Sequence, residues 1–156
     1  MTAIRIAKEF NLRLSIEHCT EGHLIPKYVK ESGAKVILGP LLTERAKIEL
    51  KNLTFQAPKI MYENGIEFAL MTDHPVIPVQ FLPVCAAIAV REGLPEMEAL
   101  KAITIHAARA TDIDERVGSL EVGKDADIVI TDGAPLDLRS AIEMVLINGE
   151  IVHRHA

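Results

Sequence analysis

Tryptophan is absent from these 156 residues, only six side chains are aromatic, and the only cysteines are Cys19 and Cys85. Two cysteines cannot build a disulfide framework or a doubled CxxC metal site, so no bridge is needed and a reducing, cytoplasmic setting is expected. Basic excess is missing as well: seventeen Lys and Arg face twenty-two Asp and Glu, a net charge of −5. That balance lacks the electrostatic footprint of a nucleic-acid or anionic-membrane binder, and neither partner is expected. Long apolar runs are missing too. The longest, Val84-Cys-Ala-Ala-Ile-Ala-Val90, is about a third of a membrane span, and an N-terminus with Arg5, Lys8 and Glu9 is no targeting segment. Neither an internal repeat nor a low-complexity stretch is present. What remains is an ordinary globular composition, 49% apolar and 25% charged, of a length that buries roughly 68–70% of its unfolded surface without disulfides or a structural metal.

Two periodicities alternate over the first half of the chain. Residues 2–10 place Ile4, Ala7 and Phe10 on one helical face with no preceding cap, as though the chain begins inside a helix. Leu12, Leu14 and Ile16 alternate with polar residues up to His18, a strand pattern. A helix is predicted from about Glu21 to Ser32, stopped by Gly33; Lys35 to Leu38 reads as a buried strand. After a polar loop over 43–53, a helix is predicted from about Gln56 to Glu63, closed by Asn64-Gly65, and a third strand from Ile66 to Thr72. Strands separated by helical crossovers pair in parallel, so the class is α/β.

Further on, an apolar helix is predicted from about Leu82 to Glu92 with its stop at Gly93, and another opening at Leu94-Pro-Glu96 and running to about Ala110. From Gly118 the character changes to a small β module: a strand over 126–131, a turn at Gly133-Ala-Pro135, and two strands over 143–152 around Asn148-Gly149. Asn-Gly between apolar runs is the strongest short hairpin signal.

Parallel strands put their C-terminal ends on one rim, where α/β proteins carry their ligands. His18, the Gly39-Pro40 loop and Asp73 are therefore expected side by side. A histidine there can ligate a metal, act as a base or polarise a carbonyl. Asp73 ends an apolar strand with no packing reason to do so, though it could cap the next helix. An imidazole and a carboxylate together suit a site where a divalent cation activates water and the carboxylate takes its proton. His23 and His74 lie close by, His23 as a surface residue.

Several patterns carry less. Gly118-Ser-Leu-Glu-Val-Gly-Lys-Asp125 misses the phosphate loop, because Asp125 replaces the required Ser or Thr and a strand follows. His153-Arg-His155 has ligand spacing but sits on a tail expected to fray. Cys19 beside His18 points the other way along an extended strand, as a buried structural thiol.

Taken together, Gly118-Ser-Leu-Glu-Val-Gly-Lys-Asp-Ala-Asp-Ile-Val-Ile130 and Val145-Leu-Ile-Asn-Gly-Glu-Ile-Val152 resemble the C-terminal tail of the amidohydrolase superfamily. Upstream, Ile16-Glu-His-Cys-Thr-Glu-Gly-His23, Gly39-Pro40, Thr72-Asp-His-Pro75 and Ala99-Leu-Lys-Ala-Ile-Thr104 are similar to its imidazolonepropionase-like branch. The resemblance implies a metal-dependent (β/α)8 TIM barrel with a small β-sandwich. Residues 1–112 would supply barrel strands six to eight, and 113–156 a segment of the sandwich. It further implies that His18 and Asp73 are catalytic and metal-binding, with Asp73 as the base in hydrolysis of a C–N bond of amide, cyclic amide or amidine type. Zinc is the first metal it implies, with iron or manganese as alternatives.

The resemblance also exposes a departure. The first-strand His-x-His, the fourth-strand Lys or Glu and the fifth-strand His of the family have no counterparts here, so they would precede Met1. A catalytic metal needs about three protein ligands, and three strands cannot close a barrel. The chain is accordingly expected to be the C-terminal part of such an enzyme, inactive and metal-free alone, acting on a small molecule only when completed by an N-terminal half. A noncatalytic association module, homo-oligomeric through its open sheet edge, or a split-enzyme subunit are the competing expectations.

Overall fold

The computed structural model describes residues 1–155. Its first half winds three parallel strands through helices. α1 (Thr2–Glu9) buries Ile4 and Ala7 and leaves Phe10 65% exposed beyond its end. Then come β1 (Ser15–Ile16), α2 (Pro26–Ser32), β2 (Lys35–Leu38), α3 (Ala57–Glu63) and β3 (Ala69–Leu70). Helix ends follow their residue chemistry: Pro26, Pro58 and Pro83 stand in the first turns of their helices, where the missing N–H costs nothing. Gly33 ends α2 in the left-handed conformation, φ 65°.

The sheet order is β1-β2-β3, with Ser15 opposite Lys35, Ile16 opposite Val36, Ile37 opposite Ala69 and Leu38 opposite Leu70. The paired segments are shorter than the alternation predicts. The run from Leu12 to His18 pairs as a strand only at Ser15–Ile16, and that from Ile66 to Thr72 only at Ala69–Leu70. Leu12 is 59% exposed, and His18 turns out of the extended conformation, φ 63°, so neither end can continue β1. Single backbone bonds still extend the ladder: Lys35 donates to Leu14, Gly39 to His18 and Met71 to Leu38.

Val36, Leu38, Phe68 and Leu70 are buried in one cluster with Ala86, Ala89, Ala99 and Ala102. These alanines come from α4 (Leu82–Arg91) and α5 (Glu96–Ala102) and are all 0% exposed, so small side chains let the two helices approach each other and the sheet. The helix expected to run to Ala110 is in fact two, α5 and α6 (Ile105–Ala110). Thr104 breaks it at φ −130°, ψ −99°, with its hydroxyl bonded to the Leu100 carbonyl at 2.7 Å, a local alternative to continuing the helix.

That break turns α6 toward the N-terminal ends of the strands, where its charges meet theirs. Arg13, just before β1, and Lys35, the first residue of β2, both donate to Asp112. Glu67, just before β3, accepts from Arg109 at 2.7 Å and faces His106 Nε2 at 3.4 Å. All three strands are thus tied at one end to residues 106–112.

The remainder is a second sheet, antiparallel in the order β4 (Ile128–Thr131), β5 (Ile142–Ile147), β6 (Glu150–Arg154). Asn148 (φ 52°) and Gly149 (φ 80°) form the β5–β6 turn that their residue types predict. His153 pairs with Val145 and the His155 amide bonds to Glu143, so the tail expected to fray is a strand edge. A Cβ on Gly118 would fall 2.8 Å from the Ala108 side chain and 2.9 Å from Ile105 Cα, so glycine is what lets this segment lie on α6. Leu136, beyond residue 112, joins the same buried cluster as the parallel sheet. By contrast Val129, Ile142, Ile147, Ile151 and Val152 remain about half exposed. No described helix is long and apolar enough to cross a membrane.

The Lys35 and Arg13 contacts hold the Asp112 carboxyl below its ordinary pKa of 3.8. A carboxylate depressed on folding stabilises above its unfolded pKa, and that contribution is lost as pH falls through the folded one. Asp112→Asn should therefore lower the urea midpoint relative to the parent at neutral pH, and the gap should narrow progressively as both are taken below the carboxyl's ordinary pKa of 3.8. Burial raises the pKa of both thiols, Cys19 at 7% and Cys85 at 0% exposure. Neither should react with a thiol reagent at neutral pH in the native protein, and both should react after denaturation, which titration of released chromophore would count.

Candidate active site

Beyond Ile16 the chain turns within three residues: the Cys19 amide donates to the Glu17 carbonyl at 2.7 Å, with His18 at φ 63° and Cys19 at φ 44°. Beyond β3 it turns again at Asp73, φ 54°, whose carbonyl accepts from Val76 at 2.8 Å. Left-handed backbone costs a residue with a side chain about 1–2 kcal/mol. His18 and Cys19 thus carry strain on the rim where Asp73, a residue type that tolerates this conformation, also turns left-handed. The turns decide direction: Cys19 goes into the core, while His18 and Asp73 keep side chains 48% and 38% exposed.

The rim brings His18 and Asp73 together from the two outer strands. His18 Nδ1 lies 4.0 Å from Asp73 Oδ2 and 3.1 Å from the carbonyl oxygen of Gly39, at the end of the central strand. Only the second distance is a hydrogen bond. Asp73 therefore keeps its oxygens open to a third group instead of spending them on His18. Gly39 is required where it stands: at φ 143°, a Cβ there would fall 2.2 Å from the Met71 carbonyl oxygen. The sequence pattern puts Gly39 on the rim without a role; the sole sequence signal for one is a glycine directly after a buried strand.

The other histidines do not join them. His74 is exposed. His23, expected at the surface, is half-buried, with a buried Nδ1 that has no hydrogen-bond partner. Its burial arises because the segment after the rim forms a 3-10 turn, Gly22–Leu24, held against α3.

An imidazole and a carboxylate are donors of the right kind for zinc, iron or manganese. Their number is the limit, since among the described residues no group of three or more His, Cys, Asp or Glu side chains could hold a metal ion. In donor type His18 and Asp73 fit a divalent metal; in number they fall short of the roughly three protein ligands that a catalytic metal needs.

A cavity of about 370 Å³ opens at the opposite end of β3, lined by Tyr62, Glu67, Glu98, Lys101, His106 and Arg109. Its cations are already met, Lys101 by Glu98 at 2.8 Å and Arg109 by Glu67 at 2.7 Å. It belongs to the tie between α6 and the strands.

Known proteins carry the same framework. The chain is 47% identical to an amidohydrolase from Thermotoga maritima whose crystal structure superposes on 99% of it with a TM-score of 0.94, covering 40% of that chain. It is 30% identical over 144 residues to amidohydrolase tasK of Hapsidospora irregularis, 90% of this chain and 15% of the relative. It is 35% identical over 106 residues to imidazolonepropionase of Streptococcus pyogenes, 65% of this chain and 24% of the relative. The chain therefore spans well under half the length of each. Such neighbours imply a TIM-barrel-type fold for the α/β portion. The amidohydrolase family model matches residues 4–153, nearly the whole sequence, and with the resemblance to imidazolonepropionases it makes this chain a member of the amidohydrolase superfamily.

Proposed function

We propose that this chain supplies strands six to eight of an amidohydrolase barrel, with residues 113–156 as its β-sandwich segment, and that the completed enzyme hydrolyses a C–N bond of a small molecule. The observation that carries the reading is the approach of His18 to Asp73, 4.0 Å, on one strained rim. Asp73 is the base: its open carboxylate takes a proton from the attacking water and returns it to the leaving nitrogen. His18 orients the water or the substrate carbonyl beside it. These two residues would hold a divalent metal, zinc or else iron or manganese, with further ligands from polypeptide outside this chain. When bound, the metal supplies Lewis acidity that lowers the pKa of water.

On this reading the chain alone is inactive and does not retain the metal. Partners are a small-molecule amide, cyclic amide or amidine and an N-terminal half, and the setting is cytoplasmic. The half-exposed apolar residues on β4, β5 and β6 favour one second reading, a noncatalytic module that associates through that sheet.

Complementation separates the two. Co-expression with the N-terminal remainder of the Thermotoga maritima amidohydrolase should give metal-dependent hydrolysis in a panel of amides, cyclic amides and amidines. Asp73→Asn should lower the rate by about 10²–10⁴-fold, the usual contribution of a positioned base. Full activity in Asp73→Asn would overturn the assignment of the base. A stable self-associated complex, with no activity in any combination, would support the association module.

A further inference from the structure

Hydrogen-bond geometry at the rim distinguishes the two nitrogens of His18. Nδ1 has two oxygens near it, the Gly39 carbonyl at 3.1 Å and Asp73 Oδ2 at 4.0 Å. A carbonyl oxygen can only accept, so a hydrogen bond at 3.1 Å requires the proton on Nδ1. At 4.0 Å the carboxylate makes no hydrogen bond and cannot compete for that proton.

The carbonyl reaches the ring because of three local facts. Gly39 follows directly on β2, and its amide donates to the His18 carbonyl at 3.2 Å, so the two rim residues grip each other from both sides. Its φ of 143° suits glycine and strains other residues. Its missing side chain lets β2 pass the Met71 carbonyl, where a Cβ would lie at 2.2 Å. On the other side, His18 is held in its own left-handed conformation, φ 63°. Ring and carbonyl are each fixed by backbone, not by a flexible side chain.

We propose that Gly39 is a positioning residue of this site, whose carbonyl oxygen holds His18 in the Nδ1–H form and leaves Nε2 as the electron-pair donor available to substrate, water or cation. The inference concerns the site of the proposed function and deepens that reading, but its test needs no turnover. Asp73 has a separate task under this proposal, because the proton on Nδ1 is committed to a neutral backbone acceptor. The arrangement would otherwise be a histidine–carboxylate pair, with Nδ1–H on Asp73 and the carboxylate engaged.

The test is the tautomer of His18, read by long-range ¹H–¹⁵N correlation on the purified protein at about pH 8, where free imidazole is neutral, with the ring assigned by loss of its signals in His18→Gln. The expected result is a pyridine-type Nε2 and a pyrrole-type Nδ1, with the Nδ1–H form ahead by about threefold or more, the net preference one hydrogen bond gives. A pyrrole-type Nε2, or equal populations, would overturn the proposal. Asp73→Asn then identifies the acceptor: an unchanged tautomer supports Gly39, and a shift toward the Nε2–H form overturns it in favour of Asp73. In a folded Gly39→Ala the preference should fall toward that of a histidine side chain free in water. Since that variant can fail to fold, the parent spectrum and Asp73→Asn together carry the test. Failure of the complementation assay leaves the tautomer result standing, and the reverse is equally true.

Discussion

Parallel pairing of β1, β2 and β3 in a fixed register governs the rest of this structure. With Leu38 opposite Leu70 and Ile16 opposite Val36, the residues that follow each strand come out on one edge. A slip by one residue would exchange buried and outward faces along the strand. It would carry Val36 and Leu38 out of the core and destroy the approach of His18 to Asp73. The ionic ties of Asp112 and Glu67 hold the opposite ends of the same strands. Register is therefore specified twice, by apolar burial along the strands and by charge at their N-terminal ends.

Strain at the rim is the counterpart of that order below it. Three residues with side chains adopt positive φ there, while the well-packed alanines of α4 and α5 lie beneath. Such conformations persist only when their surroundings over-determine them. Here the hydrogen bonds from the Gly39 amide to the His18 carbonyl and from the Met71 amide to the Leu38 carbonyl, and the missing Cβ of Gly39, do so. The C-terminal sheet shows the opposite condition. Its turn chemistry and pairing are regular, yet much of its apolar surface is open to solvent.

How much was legible in the sequence differs between elements. The strand at Lys35–Leu38 and the helix closing before Asn64-Gly65 stand where the pattern puts them, because burial period and stop residues agree. The single helix expected to run to Ala110 is two, since periodicity does not register a threonine hydroxyl that captures the Leu100 carbonyl. The tail expected to fray is ordered because it pairs with β5, a nonlocal interaction that its own residues do not announce. His23 looked like a surface residue because its burial arises from packing after the rim turn.

By itself the sequence determined the α/β class, the order of elements, the hairpin at Asn148-Gly149 and the membership in the amidohydrolase superfamily. It also brought His18 and Asp73 to the same rim, because parallel strands must align their C-terminal ends. Only the tertiary structure decided that His18 Nδ1 bonds to Gly39 while Asp73 stands clear at 4.0 Å. It also decided that α6 and Asp112 just beyond it gather the lower ends of all three strands. The reason is physical: periodicity and turn chemistry are local and can be read from neighbours in sequence. A hydrogen bond between residues 21 positions apart depends on register, backbone direction and a missing side chain acting together.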